Sequence, residues 1–173
     1  LGPKGTAKLK AASFGAPVSL PAPCAQVPVK AKGVTVTDER MTRFWITLEQ
    51  GVRFVISCVE TMHGGEVFIP KLPSMNIMDL VRLIAPEAAV DIVGIRPGEK
   101  LHEAMISEDE ARQTVELEDR YVIQPAHPWW NRKNWVQGVA VPDGFEYTSD
   151  KNDEWLTEEQ MHRMIASYEV VND

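Results

Sequence analysis

The sequence predicts a mixed α/β fold, with an α+β-like arrangement as the close alternative, and three observations support this. From Val34 onward, short apolar runs alternate with amphipathic stretches, the pattern of strands layered against helices. Three Ser or Thr residues are each followed three positions later by Glu or Gln, the capping-box spacing that begins a helix. Gly and Pro separate the segments.

The first helix is the most strongly specified element. A short strand over 44–46 leads into Thr47, which with Gln50 forms a capping box, so we expect a helix to about Met62. Gly64 follows as a stop signal. One face of this helix is apolar, and we expect that stripe to lie in the core: Leu48, Val52, Val55, Ile56 and Val59.

Downstream, the pattern predicts a strand over 66–69, a helix over 76–84 and a strand over 90–95. This last strand would deliver Arg96 and Glu99 at its carboxyl end, where α/β sheets commonly bind ligands. The segment 90–95 is therefore the element that positions the candidate site.

The final third predicts less regular structure. A capping box at Ser107 precedes strands over 114–117 and 121–124, and another at Thr157 precedes a short helix around 161–165. Between them, residues 125–153 form a long irregular stretch with three of the five Trp residues. We expect that stretch to wrap the surface or to meet a partner.

The sequence Arg96-Pro97-Gly98-Glu99-Lys100 predicts a binding turn for an anion that carries a diol. The guanidinium group offers a planar fork of donors that fits phosphate oxygens, whereas a carboxylate accepts hydrogen bonds from sugar hydroxyls. A second cationic stretch, residues 38–45, contains Arg43 and could supply the other side of a pyrophosphate site. This combination suits a nucleotide sugar.

Three ordered segments carry a family resemblance: TDERMTRFWITLEQG over 37–51, GGEVFIPK over 64–71 and GIRPGEKLHE over 94–103. In this order they resemble the C-terminal half of the inverting UDP-N-acetylglucosamine 4,6-dehydratases, which are extended short-chain dehydrogenase/reductases. The resemblance runs from about Val34 to about Ile165. It implies the substrate-binding part of an extended Rossmann-type reductase, over 34–124. The residues that follow predict an irregular Trp-rich tail with a short terminal helix, over 125–173.

The resemblance also implies roles for individual residues. Arg43 and Arg96 would contact the UDP pyrophosphate, and Glu99 would accept hydrogen bonds from the uridine ribose. The alternative is that one Arg only pairs with Glu99 or Asp38. Weaker candidates are Lys100, Arg40, Lys71 and His102, the last of which could instead orient the loop.

The family's catalytic half is not recognisable in this sequence. Its members use NADP, bound at a Gly-rich turn, and a Tyr-x-x-x-Lys pair on a helix that precedes the substrate motifs; no such Gly-rich turn occurs here. Tyr147 and Lys151 have the pair's spacing but follow the substrate motifs in a loop-like context, so we expect no catalytic residue. We accordingly expect a fragment that binds no NADP and is inactive alone, from an enzyme that works as a homo-oligomer in surface-glycan (pseudaminic-acid-type) synthesis.

Composition limits the other possibilities. A net charge of −7 argues against nonspecific nucleic-acid binding, which needs a basic face. No apolar run approaches the roughly 20 residues that span a bilayer, so we expect a cytoplasmic protein. Cys24 and Cys58 are isolated and the four His lack ligand spacing, so we expect no metal site.

Residues 1–33 differ from the rest in composition. They contain five Lys, five Pro and no Asp or Glu, whereas residues 34–173 contain 13 basic and 25 acidic residues. We expect an irregular segment. It is either a basic tether to an acidic partner or the product of a misread coding start that is not in the native frame. Two readings of the whole chain stay open beside the dehydratase: a related nucleotide-sugar epimerase or retaining dehydratase, and a non-catalytic UDP-sugar-binding or interaction module.

Overall fold

Residues 33–169 are the part of the chain that the computed structural model describes, and they belong to a compact unit formed by residues 31–173. The expectation of an irregular amino-terminal segment therefore lies outside the described residues, except at Gly33. In chain order the elements are β1 (Gly33–Val36), β2 (Thr42–Phe44), α1 (Leu48–Thr61), β3 (Val67–Pro70), β4 (Ser74–Asn76), α2 (Ile77–Ile84), β5 (Ala89–Ile92), β6 (Ala104–Ile106), α3 (Glu108–Ala111), β7 (Thr114–Glu116), β8 (Arg120–Ile123), a 3₁₀ turn (Arg132–Trp135), β9 (Val139–Ala140), β10 (Tyr147–Thr148) and α4 (Glu158–Glu169).

The strands form four small sheets. The largest is antiparallel with the order β3-β8-β7-β9, and antiparallel pairs are also formed by β2 with β4 and by β6 with β10. The remaining pair, β1 with β5, is parallel, with Val34 opposite Val90. The predicted mixed α/β class is confirmed.

Two clusters of buried side chains hold the described region together. One contains Ile69, Ile106, Tyr121 and Tyr147, and the other contains Val115, Val122, Trp130 and Trp135. Three of these residues come from the stretch 125–153, which the sequence predicts to wrap the surface or to meet a partner. Their aromatic rings pack against side chains of the four-stranded sheet. Of the three Trp in this stretch, Trp129 alone is exposed.

Local capping signals predicted the helix starts well. At α1, the Thr47 hydroxyl accepts from the Gln50 N–H while the Gln50 side chain accepts from the Thr47 N–H, and Asn76 caps α2 by accepting from the Met78 N–H. The capping box at Ser107 is also formed, although α3 is a single turn. The last helix, α4, is longer than the predicted 161–165.

Strand boundaries were predicted less well. The strand expected over 44–46 is β2, which ends at Phe44, and the strand expected over 90–95 is β5, which ends at Ile92. The partner of β5 is β1, which ends at Val36. The Val93 N–H donates to the Val36 carbonyl at 2.9 Å, and beyond this bond β1 offers no residue with which β5 could pair. The chain then turns through Gly94, whose φ is +84°.

The apolar stripe of α1 is not in the core, and that prediction was wrong. Its side chains are 51–70% exposed, and no residue of α1 is buried. The helix instead rests on the body through Phe54, Ser57 and Cys58, which contact Arg120 of β8. The periodicity correctly indicated an amphipathic helix, but it could not tell which side the rest of the described residues would cover.

Candidate ligand-binding site

The segment after β5 folds into a tight turn. The Glu99 N–H donates to the Arg96 carbonyl at 3.0 Å, and Gly98 has a φ of +84°. Pro at the second position and a positive-φ Gly at the third are the features of a type II turn. The Pro-Gly pair thus fixes the direction in which Arg96 and Glu99 leave the backbone.

The carboxylate of Glu99 is anchored on two sides. One oxygen accepts from the Thr37 hydroxyl at 3.1 Å and the other accepts from the Arg96 N–H at 3.2 Å. Thr37 directly follows β1, the parallel partner of β5. The half-buried Glu99 therefore ties together the loops at the carboxyl ends of both parallel strands, and the remaining lone pairs of its carboxylate stay free to accept hydrogen bonds from a ligand.

Arg43 reaches the same segment from β2. Its guanidinium group donates to the carbonyl oxygens of Thr42 (2.7 Å), Leu101 (3.0 Å) and Lys100 (3.1 Å), and its Nε lies 3.7 Å from the Glu103 carboxylate. The structure brings the two predicted cationic stretches together, yet it directs most of the Arg43 donors at backbone. Arg43 thus holds the loop that carries the turn.

A buried hydroxyl completes this support. The Ser149 hydroxyl is fully buried, lies 2.7 Å from the Thr42 hydroxyl and accepts from the Glu103 N–H at 2.9 Å. The Thr42 hydroxyl also contacts His102 Nδ1 at 2.8 Å, so His102 faces the scaffold through that atom. Sequence reasoning missed Ser149, because a residue 107 positions from Thr42 carries no local signal of this contact.

The cations around the turn differ in availability. Among the described residues, Arg96 and Lys100 are exposed and their side chains have no hydrogen-bond or ion-pair partner. Arg40 is bidentate on Asp38, and that hydrogen bonding lowers the pKa of Asp38 to about 2. Lys71 is paired with Glu116 at 2.7 Å. Arg96 and Lys100 are thus the two cations that a phosphate could bind without breaking a contact.

Tyr147 and Lys151 are both committed elsewhere. The Tyr147 hydroxyl donates to the Leu72 carbonyl at 3.0 Å and accepts from the Leu72 N–H at 2.7 Å, and burial raises the pKa of this phenol. Lys151 is exposed and pairs with Glu146 at 2.6 Å. Tyr147 lies in β10 and not on a helix, so the spacing that resembles a catalytic pair has a structural explanation.

The turn lies on an open surface. Clefts of about 710 and 470 Å³ occur beside Arg120, but no residue of 96–103 lines either of them. The Arg96–Glu99 turn thus lies outside both of these clefts.

The described residues 33–169 do not fit a dinucleotide cofactor. A pyrophosphate cradle needs a glycine turn between a strand and the helix that follows it. The glycines with positive φ in residues 33–169 lie instead before β3, between β5 and β6, and before β10: Gly64, Gly65, Gly94, Gly98 and Gly144. Within the same residues, no three His, Cys, Asp or Glu side chains are grouped to hold a metal. No helix there is both long and apolar enough to cross a bilayer.

Comparisons with known proteins agree with the resemblance in sequence. A protein of Campylobacter jejuni described as a UDP-N-acetylglucosamine 4,6-dehydratase (inverting) is 49% identical over 142 residues, which cover 78% of this chain and 42% of that protein. A UDP-glucose 4-epimerase of Rickettsia massiliae is 26% identical over 83% of this chain and 44% of its own length. The crystal structure of Pen from Bacillus thuringiensis matches with a TM-score of 0.66 at 29% identity, over 82% of this chain and 43% of that structure.

The chain spans less than half the length of the curated relatives that it matches. The family model described as polysaccharide biosynthesis protein matches residues 20–125, a region that includes Arg43 and the Arg96–Glu99 turn. This chain belongs to the polysaccharide biosynthesis protein family, with the inverting UDP-N-acetylglucosamine 4,6-dehydratases among its relatives.

Proposed function

We propose that this chain is the substrate-side portion of an NADP-dependent dehydratase. The enzyme would convert UDP-N-acetylglucosamine to a 4-keto-6-deoxy sugar with inversion at C5, for pseudaminic-acid-type surface glycans. The 49% identity to a protein described as such a dehydratase supports the substrate and the reaction. The complete enzyme would be a cytoplasmic homo-oligomer that binds neither nucleic acid nor membrane.

The observation that carries this proposal is the arrangement of the Arg96–Glu99 turn. Glu99 is held in place by Thr37 and by the Arg96 N–H, so its free lone pairs can accept from the two ribose hydroxyls. Arg96 and Lys100 extend from the same turn with side chains that have no partner among the described residues, and they would bind the pyrophosphate. Arg43 would act by positioning this loop through its hydrogen bonds to the Leu101 and Lys100 carbonyls.

The same residues lead us to propose that the chain alone does not turn over substrate. Tyr147 is committed to Leu72, and residues 33–169 provide no cradle for a dinucleotide. We propose no chemical step for these residues. Their work would be to bind and orient the nucleotide part of the substrate.

Calorimetric titration of the full chain with UDP-N-acetylglucosamine, UDP and UMP tests the binding role. We expect UDP and the UDP-sugar to bind with similar affinity and UMP to bind more weakly, because UMP lacks the second phosphate. Arg96→Gln should weaken UDP binding by about 10- to 100-fold, as expected for a charged hydrogen bond worth about 1.5–3 kcal/mol. Arg53→Gln is the matched control, since Arg53 is exposed on α1 and, among the described residues, pairs only with Glu49.

Two results would contradict the proposal. Equal UDP affinity in Arg96→Gln and Arg53→Gln would remove the turn from the binding site. Formation of a 4-keto sugar by the purified full chain would contradict the assignment of this region to binding alone.

The likeness to UDP-glucose 4-epimerase supports a second candidate, an epimerase that would use the same turn for the same nucleotide. Both candidates require UDP binding, so titration does not separate them. The reaction product separates the two candidates. With a co-purified or added cofactor-binding portion, a dehydratase would yield a 4-keto-6-deoxy sugar, whereas an epimerase would yield the 4-epimer. The 49% identity over 142 residues favours the dehydratase.

A further inference from the structure

Helix α1 presents its apolar stripe to solvent and contacts the protein through a different face that contains Phe54, Ser57 and Cys58. The outward stripe consists of five side chains, each more than half exposed: Leu48, Val52, Val55, Ile56 and Val59. Met62, directly after the helix, is also 51% exposed. On the other side, Ser57 and Cys58 meet the guanidinium group of Arg120 at 2.8 and 3.4 Å, and Phe54 packs under it at 4.9 Å. At about 3.6 residues per turn, these two sets lie on nearly opposite faces.

This orientation is held in place by the contacts with Arg120. Its side chain is only 11% exposed, and it is also paired with Asp119 at 2.6 Å. Turning the stripe inward would break the hydrogen bonds from Arg120 to the helix and leave a largely buried cation without them. The outward stripe is therefore built into the fold of residues 33–169.

The stripe also has a shape suited to receive another surface. Gly51 leaves a shallow depression between Ile46, Leu48, Val52 and Val55, with a volume of about 620 Å³. Contiguous exposed apolar surface of this kind is unusual on a self-sufficient domain and marks an interface. The parallel pair of β1 and β5 supports the same conclusion. β5 is exposed along its whole length, whereas a parallel pair is normally covered on both faces.

The lengths of the relatives indicate what covers the stripe. The Campylobacter jejuni relative and the Pen structure extend well beyond the matched region, which is 42% and 43% of their chains. We propose that the α1 stripe is the docking surface for that remaining portion of the family polypeptide, whether it belongs to the same chain or to a separate one. This proposal rests on family membership and does not require that the turn at Arg96 binds UDP.

Co-expression tests the docking directly. The full chain would be produced with the part of the Campylobacter jejuni relative that lies outside the matched region, and the complex would be isolated through a tag on one component. We expect a one-to-one complex by light scattering. The double variant V52Q/V55Q should reduce the recovered complex at least tenfold, whereas E60Q, on the exposed polar face of the same helix, should leave it within twofold.

Thiol labelling locates the contact. In the free chain, Val55→Cys and Glu60→Cys should react with a maleimide at similar rates, because both positions are exposed. In the complex, labelling at position 55 should slow at least tenfold and labelling at position 60 should not change. Peptide mapping separates these sites from the native Cys24 and Cys58.

Three outcomes would overturn the proposal: no complex with the unaltered chain, a complex in which position 55 reacts as fast as in the free chain, or a homodimer of this chain that buries position 55 and excludes the added portion. The last would assign the stripe to a second copy. UDP titration of the same variants keeps the two proposals apart, because V52Q/V55Q should bind UDP as the unaltered chain does.

Discussion

Replacing Arg43 with Met tests whether this residue positions the loop or binds phosphate. The change removes three hydrogen bonds to backbone carbonyls, those of Thr42, Leu101 and Lys100. It also removes the weaker contacts with the Met41 sulfur at 3.6 Å and the half-exposed Glu103 carboxylate at 3.7 Å. Two of these carbonyls keep another donor: Thr42 receives the Ser149 hydroxyl at 3.1 Å, and Leu101 receives the Thr42 N–H at 3.3 Å. The third belongs to an exposed residue and can bind water.

The expected cost is therefore well below the sum of three charged hydrogen bonds, at about 2 kcal/mol of unfolding free energy. Urea denaturation followed by Trp fluorescence measures it. With a slope of about 2 kcal/mol per molar, the midpoint should fall by about 1 M. Arg43→Lys keeps the charge but cannot bridge the three carbonyls, and it should recover less than half of the loss.

Salt dependence of UDP binding separates positioning from direct contact. Attraction between an exposed cation and phosphate is screened by salt, so Arg96→Met should flatten the salt dependence of the UDP affinity. Arg43→Met should lower the affinity while leaving that dependence nearly unchanged. A midpoint shift below about 0.2 M, together with a flattened salt dependence in Arg43→Met, would refute the positioning role and make Arg43 a phosphate ligand.

Three further predictions concern other parts of the described region. Tyr147→Phe should lower the unfolding free energy by about 1–3 kcal/mol in urea denaturation, because it leaves the buried Leu72 N–H without an acceptor. Gly51→Ala should raise the thermal midpoint, with a gain of about 0.5–1 kcal/mol from helix propensity; the added methyl group would lie 3.8 Å from Ile46, an ordinary contact. The pKa of Asp38, held at about 2 by Arg40, predicts a contribution to stability that is present above the ordinary value of 3.8 and is lost as the pH falls through about 2. Carboxyl NMR titration should find that Arg40→Gln raises this pKa.

Matched controls make these outcomes decisive. Lys151→Met removes only an exposed ion pair and should change stability by less than about 1 kcal/mol, so a larger loss there than in Tyr147→Phe would contradict the structural role of Tyr147. Gly98→Ala should lower the thermal midpoint, whereas Gly51→Ala should raise it, because the φ of +84° at Gly98 is strained for any other residue. An Asp38 that titrates near 3.8 in the unaltered chain would contradict its pairing with Arg40.

Local patterns in the chain were sufficient for several features of the fold and of the site. The capping boxes predicted where α1 and α4 begin, because a cap is formed by residues three positions apart. The Pro-Gly turn was equally local, since its geometry depends on Pro97 and Gly98 themselves. The resemblance in ordered motifs indicated the family, which the family model confirmed.

The tertiary structure alone decided which side of α1 faces the protein and which groups surround the turn. Periodicity defines an apolar face but not what covers it, and within residues 33–169 the apolar face of α1 is exposed. The same holds for Arg43, whose donors are directed at carbonyls 57 and 58 positions away, and for Ser149, which meets Thr42 across 107 positions. Contacts of such range depend on how strands pair and pack, so residue types and their spacing predicted the chemistry of the turn, whereas folding determined which of its cations remain free for a ligand.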